Sequence, residues 1–289
     1  MKYAFIRRER VFYPVVVLCR VLEVPEQGYY AWLKRGPSRR AEEDAILRTR
    51  VRVLFFHLKR RYGSPRLHQE LRDEGISVGR HRVARLMREE GLRAKAARKF
   101  RATTDSSHGK AVCPNTLNRE FIVEKPNQVW VGDITYLWTR EGWLYLAVFI
   151  DLCSRGVVGW KLGTRLTANL VTGAFERAMM RRRPPPGLLI HTDQGTQYVS
   201  QEFADAIKSS NVELSMSRKG NCWDNAVAES FFHSLKVEAI YGSDIQTRRE
   251  MELEVFDYIE RFYNPIRKHS TIGYRSPEIF EKQMELMAA

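Results

Sequence analysis

Apolar residues recur at helical spacing through the front of the chain, then change to alternating and continuous runs near Gln128. Residues 14–34 predict two short helices. Pro14 opens the first, with Val17, Leu18, Val21 and Leu22 on one stripe; Pro25 opens the second, with Tyr29, Tyr30, Trp32 and Leu33. Gly36-Pro37-Ser38 breaks the pattern. The pair is either a small helix-turn-helix or a helical brace. A long helix is predicted over Glu42–Arg61, with Ile46, Val53, Leu54 and Leu58 buried and Gly63 ending it. Ser64-Pro65 caps a second helix, Pro65–Glu74, with Leu67 and Leu71 inward. A third, about Gly79–Glu90, turns Val83, Leu86 and Met87 inward and Arg80, Arg82, Arg85 and Arg88 outward. Three helices with a tight turn before a basic last one match the helix-turn-helix plan, in which that last helix enters the major groove. An ordinary three-helix bundle would give the same pattern.

Beyond Gln128 the pattern predicts strands at Val129–Trp138 and Trp143–Asp151, joined through Glu141-Gly142 as a hairpin, and a third antiparallel strand over Arg155–Leu162. Helix Thr167–Arg182, strand Leu188–His191, helix Ser200–Ser209 and strand Val212–Met216 follow. After a Gly- and Asn-containing loop over Ser217–Trp223 come helices Asp224–Tyr241, with Asp224 as N-cap, and Arg248–Tyr263. This order predicts an α/β mixed sheet flanked by helices, behind an all-α front.

Charge sharpens the division. Residues 1–125 hold 29 Lys and Arg against 14 Asp and Glu, a net of +15, whereas residues 126–289 hold 19 against 20. A basic front joined to a near-neutral, acid-bearing half points to nucleic-acid binding ahead of metal chemistry. The segment 94–125, with Ala94-Lys95-Ala96-Ala97-Arg98-Lys99-Phe100-Arg101, reads as a basic linker touching phosphate or as a solvated tether. The four cysteines form no Cys-x-x-Cys pair and read as reduced thiols of a cytosolic protein. The run Val15–Leu18 is far too short to span a bilayer, so a cytoplasmic, nucleoid-associated bacterial protein with no membrane partner is expected.

The candidate chemistry lies in three acids. Asp133 stands mid-strand among apolar neighbours, where a lone carboxylate is costly to bury. Asp193 follows a buried strand at a Gly-containing turn, a place where α/β sheets put ligands, although turn aspartates are common. Glu229 lies on a helix and alone would pass for a surface acid; it follows Asp193 after a gap of 35 residues. Together, hard oxygen donors of this kind favour Mg²⁺, with Mn²⁺ as substitute, and two ions can drive an in-line phosphoryl displacement. Lys236, two helical turns past Glu229, points the same way and is placed to contact a DNA phosphate, unless it is simply solvated. Asn225, one turn before Glu229, orients DNA or caps the helix, and His233 lines the site or is an ordinary surface histidine.

These residues carry a family resemblance. Asp133-Ile134-Thr135-Tyr136, Leu144 through Leu152, Ser154-Arg155 with Val158-Gly159-Trp160, His191-Thr192-Asp193-Gln194-Gly195-Thr196-Gln197-Tyr198, Ser215 through Asn221, Asp224 through Phe232, Lys236, Tyr263-Asn264, Arg267-Lys268-His269-Ser270 and Ser276-Pro277 occur in one order. With Gly28 through Trp32 and Tyr62-Gly63-Ser64-Pro65-Arg66, they resemble the downstream reading-frame product of insertion-sequence transposases of the IS-three type, relatives of retroviral integrases. The resemblance implies an RNase H-like fold with Asp133, Asp193 and Glu229 as the catalytic, metal-holding triad. It implies metal-dependent cleavage at insertion-sequence ends, then 3′-OH strand transfer, joining first to the other element end and then to target DNA. Implied partners are double-stranded DNA (terminal inverted repeats and target), the upstream reading-frame product, and further copies of the chain, at least a dimer on DNA. No His/His/Cys/Cys zinc module and no long leucine heptad stretch are found, so the chain reads as the downstream product alone.

The predicted organisation is a helical segment at 1–40, a helix-turn-helix domain at 41–93, a basic linker at 94–125 and an RNase H-like core with a helical extension at 126–289. Predicted DNA contacts are Lys236, Asn225, Arg218, Lys219, Arg80, Arg82, Arg85 and Arg66. Two other readings stay open: a catalytically silent DNA-binding regulator competing for element ends, and a nuclease of RNase H type.

Overall fold

The structure, a computed structural model, describes residues 1–95, 113–117, 123–217 and 225–288. The front holds six helices: α1 (Lys2–Glu9), α2 (Val15–Val21), α3 (Glu26–Lys34), α4 (Arg39–His57), α5 (Ser64–Asp73) and α6 (Arg80–Glu89). The sequence pattern missed α1. It packs Ile6 and Tyr3 onto Leu18, Cys19 and Tyr29, so this corner is a three-helix cluster rather than a helical pair. Pro14 and Pro25 stand just before α2 and α3, as their fixed φ favours, but Val17 and Val21 face solvent.

Helix α4 is rotated from the expected face. Leu47, Val51, Leu54 and Phe55 are buried, whereas Ile46 and Val53 are 74% and 51% exposed. The helix ends at His57, because Lys59 and Arg60 adopt left-handed φ of 52° and 60°, and Gly63 precedes α5 instead of stopping α4. The rotation places Leu47, Val51, Leu54 and Phe55 in one apolar core with Leu67, Leu71, Val83, Leu86 and Met87. Asp44 is buried on the same side, and its carboxylate accepts from Arg82 Nε at 2.7 Å and from an Arg85 terminal nitrogen at 2.6 Å. Both guanidiniums hold the Asp44 carboxyl below its ordinary range.

Behind this lies a five-stranded sheet of order β3-β2-β1-β4-β5, made of β1 (Val129–Thr139), β2 (Gly142–Asp151), β3 (Val157–Gly163), β4 (Leu189–Thr192) and β5 (Glu213–Met216). β1, β2 and β3 are antiparallel, and β1, β4 and β5 are parallel. Arg155 is not in β3 as expected; it sits in the β2–β3 turn at φ 65°. Buried Asp151 pins that turn, accepting from the backbone N–H of Cys153 and Ser154 at 3.0 and 2.9 Å. One sheet face is covered by α7 (Ala168–Arg182) and α8 (Gln201–Ser209). Gly159 lets α7 approach, since a Cβ there would lie 2.6 Å from that of Ala178.

The other face is covered by α9 (Ala226–Leu235), which widens into a π-helical turn over Lys236–Ile240, and by α10 (Arg248–Phe256), which widens over Asp257–Tyr263. A final helix, α11 (Pro277–Ala288), was not foreseen. Its Glu281 pairs with Arg182 of α7. The apolar core under α9 and α10 is continuous with that of α4, α5 and α6.

One polar cluster crosses this junction. Glu238, turned inward by the π-turn, accepts from Arg267 Nε and a terminal nitrogen at 2.8 and 2.7 Å, and from Tyr258 Oη at 2.8 Å. Arg66 reaches the same carboxylate at 3.3 Å, and the Glu238 carbonyl accepts from Lys95 Nζ at 2.9 Å. The Tyr62 hydroxyl donates to the Ile266 carbonyl and accepts from Lys268 N–H, while Lys268 pairs with Asp73. The two motifs Tyr62–Arg66 and Arg267–Ser270, far apart in sequence, therefore meet as one joint. Replacing Glu238 by Gln strands the Arg267 guanidinium, whose side chain is 6% exposed, and should cost roughly 3–5 kcal/mol of unfolding free energy. Urea denaturation checks this, and a loss below about 1 kcal/mol would contradict the role given to the pair.

Candidate active site

Two of the three acids come from neighbouring strands, Asp133 within β1 and Asp193 just past the end of β4. β1 and β4 run parallel with Gly132 opposite Thr192, so Asp133 and Asp193 are the next residues along adjacent strands. Gly132 permits this approach, because a Cβ there would stand 2.7 Å from the Phe149 ring and 3.1 Å from Thr192 Cγ2. The Asp133 carboxylate accepts from Ile134 N–H at 2.7 Å, and that of Asp193 accepts from Gly195 N–H at 3.0 Å, forming a tight turn.

His191, between them in sequence phrase, belongs to the scaffold. Ser215 Oγ accepts from Thr116 and Leu117 N–H and so donates to His191 Nδ1 at 2.9 Å, tying β4 to β5 and to segment 113–117. Tyr198 is buried against Phe203, with its phenol pushed far up by burial and then by Asp133 and Asp193. Its hydroxyl has no hydrogen-bond partner among the described residues. This core position fits packing.

Burial first, then the Asp193 charge, raises the Asp133 carboxyl well above its ordinary range. Glu229 adds to this from α9, and Lys236 opposes it. The Glu229 carboxyl itself is raised by burial although the residue is exposed overall, and the Lys236 ammonium is lowered by burial. Among the described residues no three His, Cys, Asp or Glu side chains stand close enough to hold a metal ion together. The donor set nevertheless fits a divalent cation: two hard carboxylates repel each other, and an added positive charge would relieve that repulsion.

The predicted DNA contacts are placed differently from one another. Asn225 is buried at the start of α9, donating through Nδ2 to the Gly132 carbonyl at 3.4 Å, so it ties α9 to β1 next to Asp133. Arg66 is bound into the Glu238 joint, and Arg82 and Arg85 are ion-paired to Asp44. Arg80 and Arg88 are exposed on α6. Lys236 opens the π-turn, and His233 is exposed one turn from Glu229. Arg218, Lys219 and Asp224 lie outside the described residues, as does most of the basic linker. No described helix is long and apolar enough to cross a membrane.

Comparison with known proteins agrees with this architecture. The profile of the family described as Integrase core domain matches residues 123–222, a second Integrase core domain profile matches 229–284, and an HTH-like domain profile matches 41–100. The chain is 46% identical over 285 residues to Transposase InsF for insertion sequence IS3A of Escherichia coli (strain K12), covering 98% of this chain and 99% of that one. It is 43% identical over 272 residues to the insertion element IS600 uncharacterized 31 kDa protein of Shigella sonnei, covering 94% and 100%. Among solved structures, the simian T-cell lymphotropic virus intasome in complex with PP2A regulatory subunit B56 gamma aligns at 17% identity and a TM-score of 0.47, over 76% of this chain and 70% of that one. The HTLV-2 integrase catalytic core domain in complex with magnesium aligns at 19% identity and a TM-score of 0.40, over 53% and 94%. With a helix-turn-helix front, an integrase core of RNase H-like fold and this degree of identity along almost its whole length, the chain belongs to the IS3 family of insertion-sequence transposases.

Proposed function

We propose that the chain is a DDE-type polynucleotidyl transferase that cuts DNA at the ends of its element and joins the freed 3′-OH to a new phosphodiester. The observation that carries this reading is the juxtaposition of Asp133, within β1, with Asp193, just past the end of the adjacent parallel β4, where the Asp193 charge raises the Asp133 carboxyl. Asp133 and Asp193 would hold Mg²⁺, or Mn²⁺ in its place, and Glu229 would complete the set. Bound there, such ions supply the charge that stabilises attacking and leaving oxygens in an in-line displacement. Lys236 holds a DNA phosphate beside the acids, and no side-chain nucleophile is required. Residues 41–93 bind duplex DNA and residues 126–289 act on it, in a complex of at least two copies that also engages the upstream-frame product. Arg80 and Arg88, rather than the clamped Arg82 and Arg85, are the α6 side chains ready for phosphate.

Asp133→Asn, Asp193→Asn and Glu229→Gln should each abolish Mg²⁺-dependent joining of labelled element ends while leaving end binding intact. Near-wild-type joining by any one of them would sink the assignment.

The raised Asp133 carboxyl sets a second test. Its folded pKa lies above the 3.8 of the free group, so its contribution to stability is present at low pH and is lost as pH rises through the folded value. In EDTA at pH 8, Asp133→Asn should melt higher than wild type, and the gap should close toward pH 5. Adding Mn²⁺ should raise the melting temperature of wild type but not of the variant. A variant that melts lower at both pH values would show that the carboxylate pair is not repulsive.

Separately, Arg80→Gln and Arg88→Gln should each lower the slope of log binding constant against log salt by about one for duplex DNA. An unchanged slope would remove α6 from the DNA surface.

A further inference from the structure

A cavity of about 360 Å³ opens beside α9, on the far side of Ser230 from Glu229. Arg66, Arg155 and Arg267 line it together with His269, Ser230 and Ser270, and no carboxylate is in its lining. Glu238 lies behind the wall, bonded to Arg267 and Arg66, so two of the three guanidiniums share one buried carboxylate. The crowding acts on the groups themselves. His269 is driven down to about 2 by burial and then by Arg267, Arg66 and Arg155, and the Arg66 guanidinium is lowered by burial and by Arg267. The site therefore has a strongly positive interior with neutral hydroxyl and imidazole groups at hand, the chemistry that receives a phosphate oxygen.

Two features of the fold aim this cavity at DNA. Ser230 follows Glu229 by about 100° around the helix, and exposed His233 lies between their directions one turn on, so one solvent-facing strip of α9 runs from the acid to the cavity. The first turn of α9, Ala226 and Val227, also lines the cavity and adds the positive end of a helix dipole. Arg155 reaches the wall from a left-handed φ of 65°, a conformation that suits glycine or asparagine far better than arginine. Asp151 organises the turn through bonds to Cys153 and Ser154, so the turn itself does not call for an arginine at 155. Strain kept at a position whose side chain lines a polar cavity marks that side chain as the reason for it.

We propose that this cavity seats a backbone phosphodiester of the DNA strand that runs along α9 away from Glu229, with Arg155 as the phosphate-contacting residue. The proposal rests on the transposase reading for the identity of the strand. The test uses the full chain, its histidines labelled with ¹³C, and inorganic phosphate as probe. His269 is identified among the 7 histidines by its loss in His269→Gln. Phosphate should shift the His269 resonance and should do so at least about fivefold more weakly in Arg155→Gln and in Ser270→Asp, the latter an exposed position that adds a repelling carboxylate without touching the core. On duplex DNA, Arg155→Gln should reduce the salt slope by about one, equally across sequences. A His269 resonance indifferent to phosphate, or a response as strong in both variants as in the wild type, would overturn the proposal. So would phosphate binding that leaves the DNA salt slope untouched in Arg155→Gln, since the cavity would then be an anion site unconnected with DNA. If phosphate binding and slope behave as expected while Asp133→Asn still joins ends, the cavity stands and the catalytic reading falls.

Discussion

The Glu238–Arg267 pair is the interaction on which the rest of the molecule depends. Both side chains are almost wholly out of solvent, so each needs the other, and Tyr258, Ser234 and Arg66 satisfy the remaining bonding capacity. Glu238 belongs to the helix that carries Glu229, Arg267 to the segment after α10, and Arg66 to α5 of the helical front. A single carboxylate thus fixes α9 relative to both the α10 region and the helix-turn-helix. A joint of this kind leaves no flexible hinge between the helical front and the integrase core.

The same economy of charge governs the front. Net charge in residues 1–125 is +15, yet its most sheltered arginines are already engaged: Arg82 and Arg85 with Asp44, Arg48 and Arg52 with Glu89 and Glu90, Arg61 with Glu254. The more exposed of these pairs contribute little to stability, but they fix side-chain direction and leave a smaller set of unclamped arginines on α6, such as Arg80 and Arg88. Counting basic residues therefore overstates the positive charge free to meet a ligand.

The succession of strands, the hairpin and the three helices of residues 41–93 were legible in the sequence because each follows from local periodicity and turn residues. The buried face of α4 was not: Asp44 breaks the apolar count, and only the arginines of α6, nearly 40 residues later, explain why it is inside. Arg155 was read as strand because its neighbours are apolar; the turn is set by Asp151, whose bonds are to backbone and carry no periodic signature. Glu238 gave no signal at all, since a glutamate inside the predicted helix Asp224–Tyr241 reads as solvent-facing until the π-turn rotates it inward. Arg66 and Asn225 sit in motifs whose chemistry suggested DNA, while burial assigns them to the joint and to the β1–α9 contact. Motif membership reports that a residue is needed; only packing reports for what.

The acids themselves show the limit of arguing from one constraint at a time. The sheet is rigid and brings Asp133 and Asp193 together whether or not a cation is present, so their repulsion is borne by the fold and appears as the raised Asp133 carboxyl. Bringing a third carboxylate to the same point without a counter-charge would add to that cost. Glu229 accordingly stands exposed on α9, felt electrostatically by Asp133 but outside any three-residue cluster of the described residues. A site built this way is complementary to positive charge before it is complementary to DNA. A cation that relieved the repulsion between the two aspartates would also make the approach of the glutamate favourable.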